Sequence, residues 1–333
     1  MLSCTPLTQS ITIEKGSRFF IAACKKNNAP HSFICLGIEN KGEILSSIGK
    51  YIDGDKLFSS CVSDDNPAGK TIKKFLFSLF APCVFMRTQP AHLSNEAIHF
   101  RYPHDKDVIA VSYKAFSLTY FQYVDFLYYL KALNPRLRAF IPVRERGNSV
   151  LASWRSLSVL PERRSNNQTE PADSCKTLGL DNTCRHTSIN LIQKARGTSN
   201  TGHGVSTSFL KSYTLQANIA NGKFDRLFIL PLPPETFKSL SVPRLKVIEK
   251  LYNCMEAILA NPYARTLSHK KLLMLRRLYE NITSNEEQTL DEFFGRISAS
   301  FNQNKKLIQA HRGFHFPGAA TDTEKMFREI MRK

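Results

Sequence analysis

The segment Asp181–Ile192 (DNTCRHTSINLI) places a cysteine in the first turn of a predicted helix. Asn182 or Thr183 is expected to cap this helix by accepting hydrogen bonds from backbone amides that lack a partner inside it. The free amides and the helix dipole favour negative charge at this end, so a Cys184 thiolate would be stabilised. Together with the neighbouring Arg185, this environment is typical of a cysteine nucleophile, and a buried structural thiol is the alternative.

The composition is that of a folded, basic protein. The 333 residues are 42% hydrophobic and 22% charged, enough for one large domain or two ordinary ones. Lys and Arg number 46 against 28 Asp and Glu, so the formal net charge is +18. This charge favours nucleic acid, an anionic lipid surface or an acidic protein surface as a partner. Because basic and aromatic residues are not interleaved as in nucleic-acid-binding motifs, we expect no nucleic-acid partner.

The eight cysteines follow no short repeated spacing, which argues against a disulfide framework and a zinc finger. The set closest to a metal site is Cys175, Cys184, His186 and His203, and its spacing is irregular. We therefore expect reduced thiols in a cytosol-like compartment, and no metal or other cofactor. Residues 1–16 lack a positively charged start followed by an apolar core, so no conventional secretory signal is expected.

The first fifty or so residues predict antiparallel strands. A short strand is predicted at 11–13, and stronger ones at 18–24, 31–38 and 43–51. The polar residues 39–42 include the glycine that a hairpin turn favours. The last two strands should therefore form a hairpin with His31 at its opening edge.

Capping patterns predict helices further along the chain. The pattern occurs at Thr119 with Gln122, Thr289 with Glu292, and Thr321 with Glu324. Pro243 and Ser268 mark two more predicted helix starts. We expect an α+β domain over 1–238, with a long polar loop at about 155–182, followed by an all-helical subdomain over 239–333.

A cysteine nucleophile needs a base, and position separates the nine histidines. His31 is the preferred candidate because a strand edge can hold an imidazole rigidly over a helix N-terminus. His186 lies two positions from Cys184 on the same helix, so its side chain should point elsewhere. His203, in a Gly- and Ser-containing loop, remains possible.

The order of these motifs resembles the circularly permuted papain-like (NlpC-type) superfamily of cysteine hydrolases and transferases. The motifs are HSFICLG at 31–37, on an early strand, and NTCRH at 182–186, at the start of a later helix. The superfamily includes lecithin–retinol acyltransferase-like enzymes and PPPDE isopeptidases. The resemblance, over residues 10 to 235 or so, implies an α+β fold with an antiparallel papain-like sheet packed on the helix that starts at Cys184.

Two features depart from this family. Thr183 separates the asparagine from the cysteine, whereas family members often have the two adjacent. Acyltransferase members carry a second histidine on the returning strand, where this chain offers Ser46, Ser47, Lys50 or Tyr51.

The resemblance implies thiol chemistry at an acyl or amide carbon. Cys184 would attack, His31 would transfer the proton, and Ser47 is the candidate third group. The backbone amide of Cys184, with Asn182 and Thr183 as oxyanion or cap residues, would stabilise the oxyanion. We expect a cysteine-dependent hydrolase or acyl transferase that acts on protein amide or isopeptide bonds.

The chain as a whole resembles secreted effectors of intracellular bacteria such as Legionella, with a papain-like front and a helical back. This resemblance implies a virulence protein that is secreted without a conventional signal peptide and acts on a protein in the host cytosol. The alternative function is a non-catalytic adaptor. Its basic helical tail, with Lys270-Lys271 and Arg276-Arg277, would bind an acidic protein or an anionic lipid surface.

Overall fold

A computed structural model describes most of the chain, and all structural statements below concern the ranges it describes. These are 10–26, 31–39, 43–52, 89–96, 108–133, 137, 139–154, 175–178, 183–197, 214–218, 223–224, 227–260, 265–284, 287–312 and 318–332.

The fold is mixed α+β. Its strands are β1 (Ser10–Glu14), β2 (Phe19–Lys26), β3 (Ser32–Ile38), β4 (Glu43–Ile52), β5 (Gln89–Asn95), β6 (Val108–Leu118), β7 (Phe140–Arg146), β8 (Ser149–Trp154), β9 (Thr177–Leu178), β10 (Thr214–Asn218), β11 (Lys223–Phe224) and β12 (Ile229–Leu230). Its helices are α1 (Tyr120–Leu133), α2 (Cys184–Arg196), α3 (Val242–Ala260), α4 (Arg265–Thr283), α5 (Leu290–Gln303), α6 (Lys305–Gln309) and α7 (Asp322–Met331), with a 3₁₀ turn at Pro234–Phe237.

The chain divides into two compact units that do not follow chain order. Unit 1 contains residues 1–111, 118–202 and 216–225, and unit 2 contains residues 112–117, 203–215 and 226–333. After the 3₁₀ turn, the elements that the structure describes are all helices.

The main sheet of unit 1 is built around the predicted hairpin. Strands β2, β3, β4, β5 and β9 lie side by side in that order, and each adjacent pair is antiparallel. The predicted pairing of β3 with β4 is confirmed, with Phe33 opposite Gly49 and Cys35 opposite Ser47. This register sets which side chains can meet at the open end of the hairpin.

The predicted short strand at 11–13 is confirmed as β1, but it belongs to a second sheet. In this sheet β1 and β7 both pair with β8, which the sequence analysis did not predict. Gly147, in the turn between β7 and β8, has a φ of 52°, a left-handed conformation that glycine adopts at little cost.

Helices α1 and α2 pack on the main sheet and on each other. The ring of Tyr123 on α1 stacks on Phe19 of β2, with 4.3 Å between ring centroids. The predicted capping box of α1 is confirmed, because Gln122 accepts from the Thr119 N–H and donates its own N–H to Thr119 Oγ1. Gln122 Nε2 also donates to the Arg196 carbonyl at the end of α2, 2.9 Å away. One side chain therefore fixes the start of α1 relative to the end of α2.

Replacing Gln122 by Ala should lower the free energy of unfolding by about 2 kcal/mol, because it removes a cap and a tertiary hydrogen bond together. Glu292→Ala is the matched control in the capping box of α5, also confirmed, since it removes only the bond that the Glu292 carboxylate accepts from the Thr289 N–H. Its cost should be about 1 kcal/mol. Denaturant unfolding followed by circular dichroism measures both. Equal costs would contradict a coupling of the two helices through Gln122.

In unit 2 the predicted helix starts are largely confirmed. Pro243 lies in the first turn of α3, and the Thr321 hydroxyl accepts from the Glu324 N–H at the start of α7. The start predicted at Ser268 is wrong, because α4 begins at Arg265 and Ser268 is fully buried within it. Burial of Ser268 shows that packing, not capping, explains a serine at this position.

The two basic pairs predicted on the helical tail each contribute one side chain to the interior of unit 2. Lys271 is 1% exposed and its Nζ donates to the Ile308 carbonyl at 2.9 Å. Arg276 donates to the Ile229 carbonyl at 2.7 Å. Lys270 and Arg277 are exposed. Each pair therefore presents one exposed cation.

Among the described helices, none is both long and apolar enough to cross a membrane.

Candidate functional site

The first turn of α2 is held by a local contact between side chain and backbone. Thr183 is the N-cap residue and has an extended backbone, with φ −75° and ψ 169°. Its N–H donates to His186 Nδ1 at 3.3 Å, and its Oγ1 lies 2.9 Å from the same nitrogen. His186 is thus turned back onto the cap, as expected for a side chain that does not serve Cys184. Asn182 lies outside the described residues.

Cys184 is the first residue of α2, and its sulfur accepts hydrogen bonds from a neighbouring strand and from its own helix. The Ser32 backbone N–H donates to Sγ at 3.4 Å, and the Arg185 N–H donates from the helix itself. Burial acts to raise the pKa of the thiol, but hydrogen bonds from His31, Ser32 and Arg185 outweigh it and lower the pKa below its ordinary value. The sulfur environment therefore favours the thiolate.

His31 lies between Cys184 and the carboxylate of Glu96. Its Nε2 is 2.7 Å from Glu96 Oε1. Burial acts to lower the pKa of His31, but hydrogen bonds to Cys184 and Glu96, and their negative charges, raise it to about 9. Because Nε2 is engaged by the carboxylate, Nδ1 is the ring nitrogen available to the sulfur. Both shifts favour the form of the pair in which Cys184 is a thiolate and His31 an imidazolium.

Three elements bring these groups together. His31 immediately precedes β3, Glu96 immediately follows β5, and Cys184 begins α2. The Glu96 side chain is 0% exposed, whereas the His31 side chain is 18% exposed. A buried carboxylate needs a charged or hydrogen-bonding partner, and the imidazolium supplies one. The carboxylate is therefore buried, whereas the imidazole and Cys184 are both partly exposed.

Gly49 on β4 leaves the room that this arrangement needs. It lies opposite Phe33 of β3 and Ser94 of β5, between the strands that lead to His31 and Glu96. A Cβ at position 49 would collide with the Glu96 carboxylate and would lie 2.9 Å from His31 Nε2. The close approach of imidazole to carboxylate therefore requires glycine here.

Tyr51 completes the surroundings of the imidazole. Its ring is tilted against the His31 ring, with 5.0 Å between centroids. Burial, followed by the charge of Glu96 and a hydrogen bond with it, raises the pKa of Tyr51 well above its usual value. Tyr51 therefore stays neutral and contacts both members of the imidazole–carboxylate pair.

The assignment of Ser47 as the third group is corrected by the strand register. Ser47 lies opposite Cys35, and its Oγ is 3.4 Å from Cys35 Sγ. Position 35 is four residues from His31, roughly 13 Å along an extended strand, which is beyond hydrogen-bond reach. Glu96 occupies the place next to the imidazole that was assigned to Ser47.

The sequence analysis missed Glu96 because it lies in a stretch where no element was predicted. One signal did point to this place. Gly49 interrupts an otherwise regular strand, and an isolated glycine inside a strand indicates close approach by another group. The sequence does not indicate that the approaching group comes from 65 residues beyond His31.

The other predicted ligand and base candidates do not form a second site in the described part of the chain. There, no three His, Cys, Asp or Glu side chains cluster as a metal site would require. Cys175 is buried just before β9, and His186 is bonded to the cap of α2. His203 lies outside the described residues.

The sequence matches no protein-family model, and no curated protein or solved structure is significantly similar to the chain. The function must therefore be argued from the site itself. The site places a thiol that favours its thiolate form beside an imidazole, and a buried carboxylate contacts that imidazole from behind.

Replacing Gly49 by Ala should separate Glu96 from His31, because the added methyl group would occupy the space of the carboxylate. The pKa of Cys184 should then rise by about one unit, so the fraction of thiolate at about pH 6 should fall roughly tenfold. Mass spectrometry of iodoacetamide labelling measures it. Gly16→Ala is the matched control, because a Cβ there meets nothing within 4 Å. Equal labelling of both variants would contradict the proposed packing.

Proposed function

We propose that this protein is a cysteine-dependent hydrolase or acyl transferase, with Cys184 as nucleophile, His31 as proton-transfer group and Glu96 as orienting carboxylate. The observation that carries the proposal is the continuous contact from Glu96 through His31 to Cys184, at the N-terminus of a helix. A structural thiol needs neither a charged imidazole nor a buried carboxylate behind it.

The reaction follows from the positions of these groups. The Cys184 thiolate attacks the carbonyl carbon of an amide or ester, and the carbonyl electrons move to oxygen. The His31 imidazolium then gives its proton to the leaving amine or alcohol as the carbon–nitrogen or carbon–oxygen bond breaks. The thioester that remains is attacked by water or another acceptor, whose proton returns to neutral His31. The backbone N–H of Cys184, at the first position of α2, is the proposed oxyanion donor.

Glu96 contributes orientation and charge. Its hydrogen bond fixes Nε2 as the protonated nitrogen and leaves the other nitrogen facing the sulfur. Its negative charge stabilises the imidazolium in the resting state, which contains no substrate. In the proposed reaction the carboxylate acts through the imidazole and does not need to exchange protons.

The chain order supports the proposed relation to the circularly permuted papain-like superfamily. The histidine precedes an early strand of an antiparallel hairpin, and the cysteine begins a later helix that packs on that hairpin. On this basis we propose a protein amide or isopeptide bond as the substrate. Action on a host protein after secretion, as in bacterial effectors, remains a prediction from the resemblance.

The adaptor function has less support. Lys271 and Arg276, two of the four residues proposed as its basic surface, bond to carbonyl groups inside unit 2. Binding to acidic protein or anionic lipid thus rests on the net charge of the chain, which does not select a partner.

Incubation with a p-nitrophenyl ester at about pH 6 should produce a protein adduct that carries the acyl mass on Cys184, because ordinary thiols, with a pKa of about 8.5, are mostly neutral there. Cys184→Ala should form no adduct. Glu96→Gln should lower the acylation rate at least tenfold, since it removes the charge behind the imidazolium. Peptide mass spectrometry locates the acyl group. Acylation of wild-type Cys184 that is no faster than in denatured protein would contradict the proposal.

The rate of acylation by an amide substrate, whose leaving amine must be protonated, should depend on pH in a bell shape. The thiolate forms as pH rises through the lowered pKa of Cys184, and the imidazolium is lost as pH rises through about 9. Both are present only between these values, so the rate should rise through the first and fall through the second. His31→Ala should remove the fall near pH 9. A wild-type rate that climbs steadily through that pH would exclude His31 as the proton donor.

A further inference from the structure

A buried lysine lies on the opposite side of β4 from the imidazole–carboxylate pair. Lys50 is 3% exposed, and its Nζ donates to Thr187 Oγ1 at 3.0 Å. Successive side chains of a strand point to opposite faces, so Gly49 faces His31 and Glu96 while Lys50 faces α2. Gly49 and Lys50 are adjacent on β4, and one faces the imidazole–carboxylate pair while the other faces the helix that begins with Cys184.

The hydrogen bond places the Lys50 ammonium under the first turn of α2. Thr187 is the residue three positions after Cys184, and its N–H donates to the Thr183 carbonyl at 3.1 Å. Thr187 is 2% exposed, so the ammonium and its partner are both removed from water. Burial lowers the pKa of Lys50 to about 8, and the negative charges of Cys175, just before β9, and of Cys184 oppose that shift.

A cation at this position needs a nearby anion. Burial alone disfavours the charged amine, and the N-terminus of a helix carries partial positive charge that repels it further. A thiolate at the first residue of the same helix offsets both costs. Conversely, the ammonium stabilises the thiolate.

We propose that Lys50 is a positioning residue of the site, whose buried ammonium supplies a second positive charge that holds Cys184 as a thiolate. This inference deepens the proposed function and rests on it for its catalytic meaning. The cations beside Cys184 are then His31, next to β3, and Lys50 on β4, whereas Arg185 contributes its backbone N–H and Tyr51 on β4 is the neutral titratable neighbour. With Glu96 included, the buried cluster of thiolate, imidazolium, ammonium and carboxylate has no net charge.

Lys50 provides a positive charge that takes no part in proton transfer during the acyl-enzyme reaction. His31 loses its positive charge when it protonates the leaving group, whereas Lys50 transfers no proton in the proposed reaction. The ammonium therefore continues to oppose the negative charge that develops on the sulfur when the thioester breaks down.

The test measures the pH dependence of Cys184 alkylation in the full-length protein, with iodoacetamide as the probe and mass spectrometry as the readout. Lys50→Met and Lys50→Gln remove the charge, and Lys50→Arg keeps it. We expect the midpoint of the first two variants to move to higher pH, with about tenfold less labelling at about pH 6. The arginine variant should keep the wild-type midpoint.

Two controls separate charge from structure. Thr187→Val removes the hydrogen bond and leaves the ammonium, so its midpoint should stay close to wild type. Lys271→Met removes a lysine that is also buried and whose pKa burial likewise lowers to about 8, but in unit 2. Its alkylation profile should be unchanged. Should Lys50→Met fail to fold, the comparison of the glutamine and arginine variants decides the question.

An unchanged midpoint in Lys50→Gln would overturn the inference, because glutamine retains hydrogen bonding to Thr187 without the charge. A shift of equal size in Thr187→Val would do the same. These outcomes differ from failure of the proposed function. If the wild type forms no acyl-enzyme but the Lys50 variants still shift the thiol titration, the function fails and the charge assignment stands.

Discussion

The hydrogen bond between His31 Nε2 and Glu96 Oε1 is the interaction on which the site depends. The carboxylate is fully buried, and a buried charge is tolerated only with a partner. The imidazole is the stronger partner when it is protonated, and a protonated imidazole in turn favours a thiolate at Cys184. The buried carboxylate thereby favours the thiolate form of Cys184 through the imidazole.

The main sheet positions these groups. Three neighbouring strands carry the groups: His31 leads into β3, Glu96 follows β5, and β4 lies between them. The residues of β4 divide the work by alternation, with Gly49 and Tyr51 on the side of the imidazole and Lys50 on the side of α2. A slip of one residue in this register would exchange the two faces and destroy both contacts. The pairing of β3 with β4 shifts register once, between Leu36 and Gly37, and is continuous from Phe33 to Leu36, the part nearest the site.

The local elements could be predicted from sequence because their causes are local. Capping boxes at Thr119 and Thr289 mark helix starts through bonds three residues apart, and the hairpin follows from two apolar strands around a polar turn. Cys184 and His31 were recognised because each has a distinctive position at the end of an element. Glu96 could not be recognised in this way, since its role depends on the register of β4 with β5. Ser47 was chosen from the family resemblance, and the same register carries it to Cys35 instead.

The most direct test of the account is an NMR titration of His31 in protein with isotope-labelled histidine, in the wild type and in Cys184→Ala. The account predicts that wild-type His31 keeps its imidazolium until pH rises through about 9. It also predicts a distinctly lower pKa in Cys184→Ala, because the thiolate no longer stabilises the positive charge. A wild-type His31 that titrates near the ordinary value of about 6.5, and does not respond to loss of the cysteine, would contradict the ion pair and the mechanism built on it.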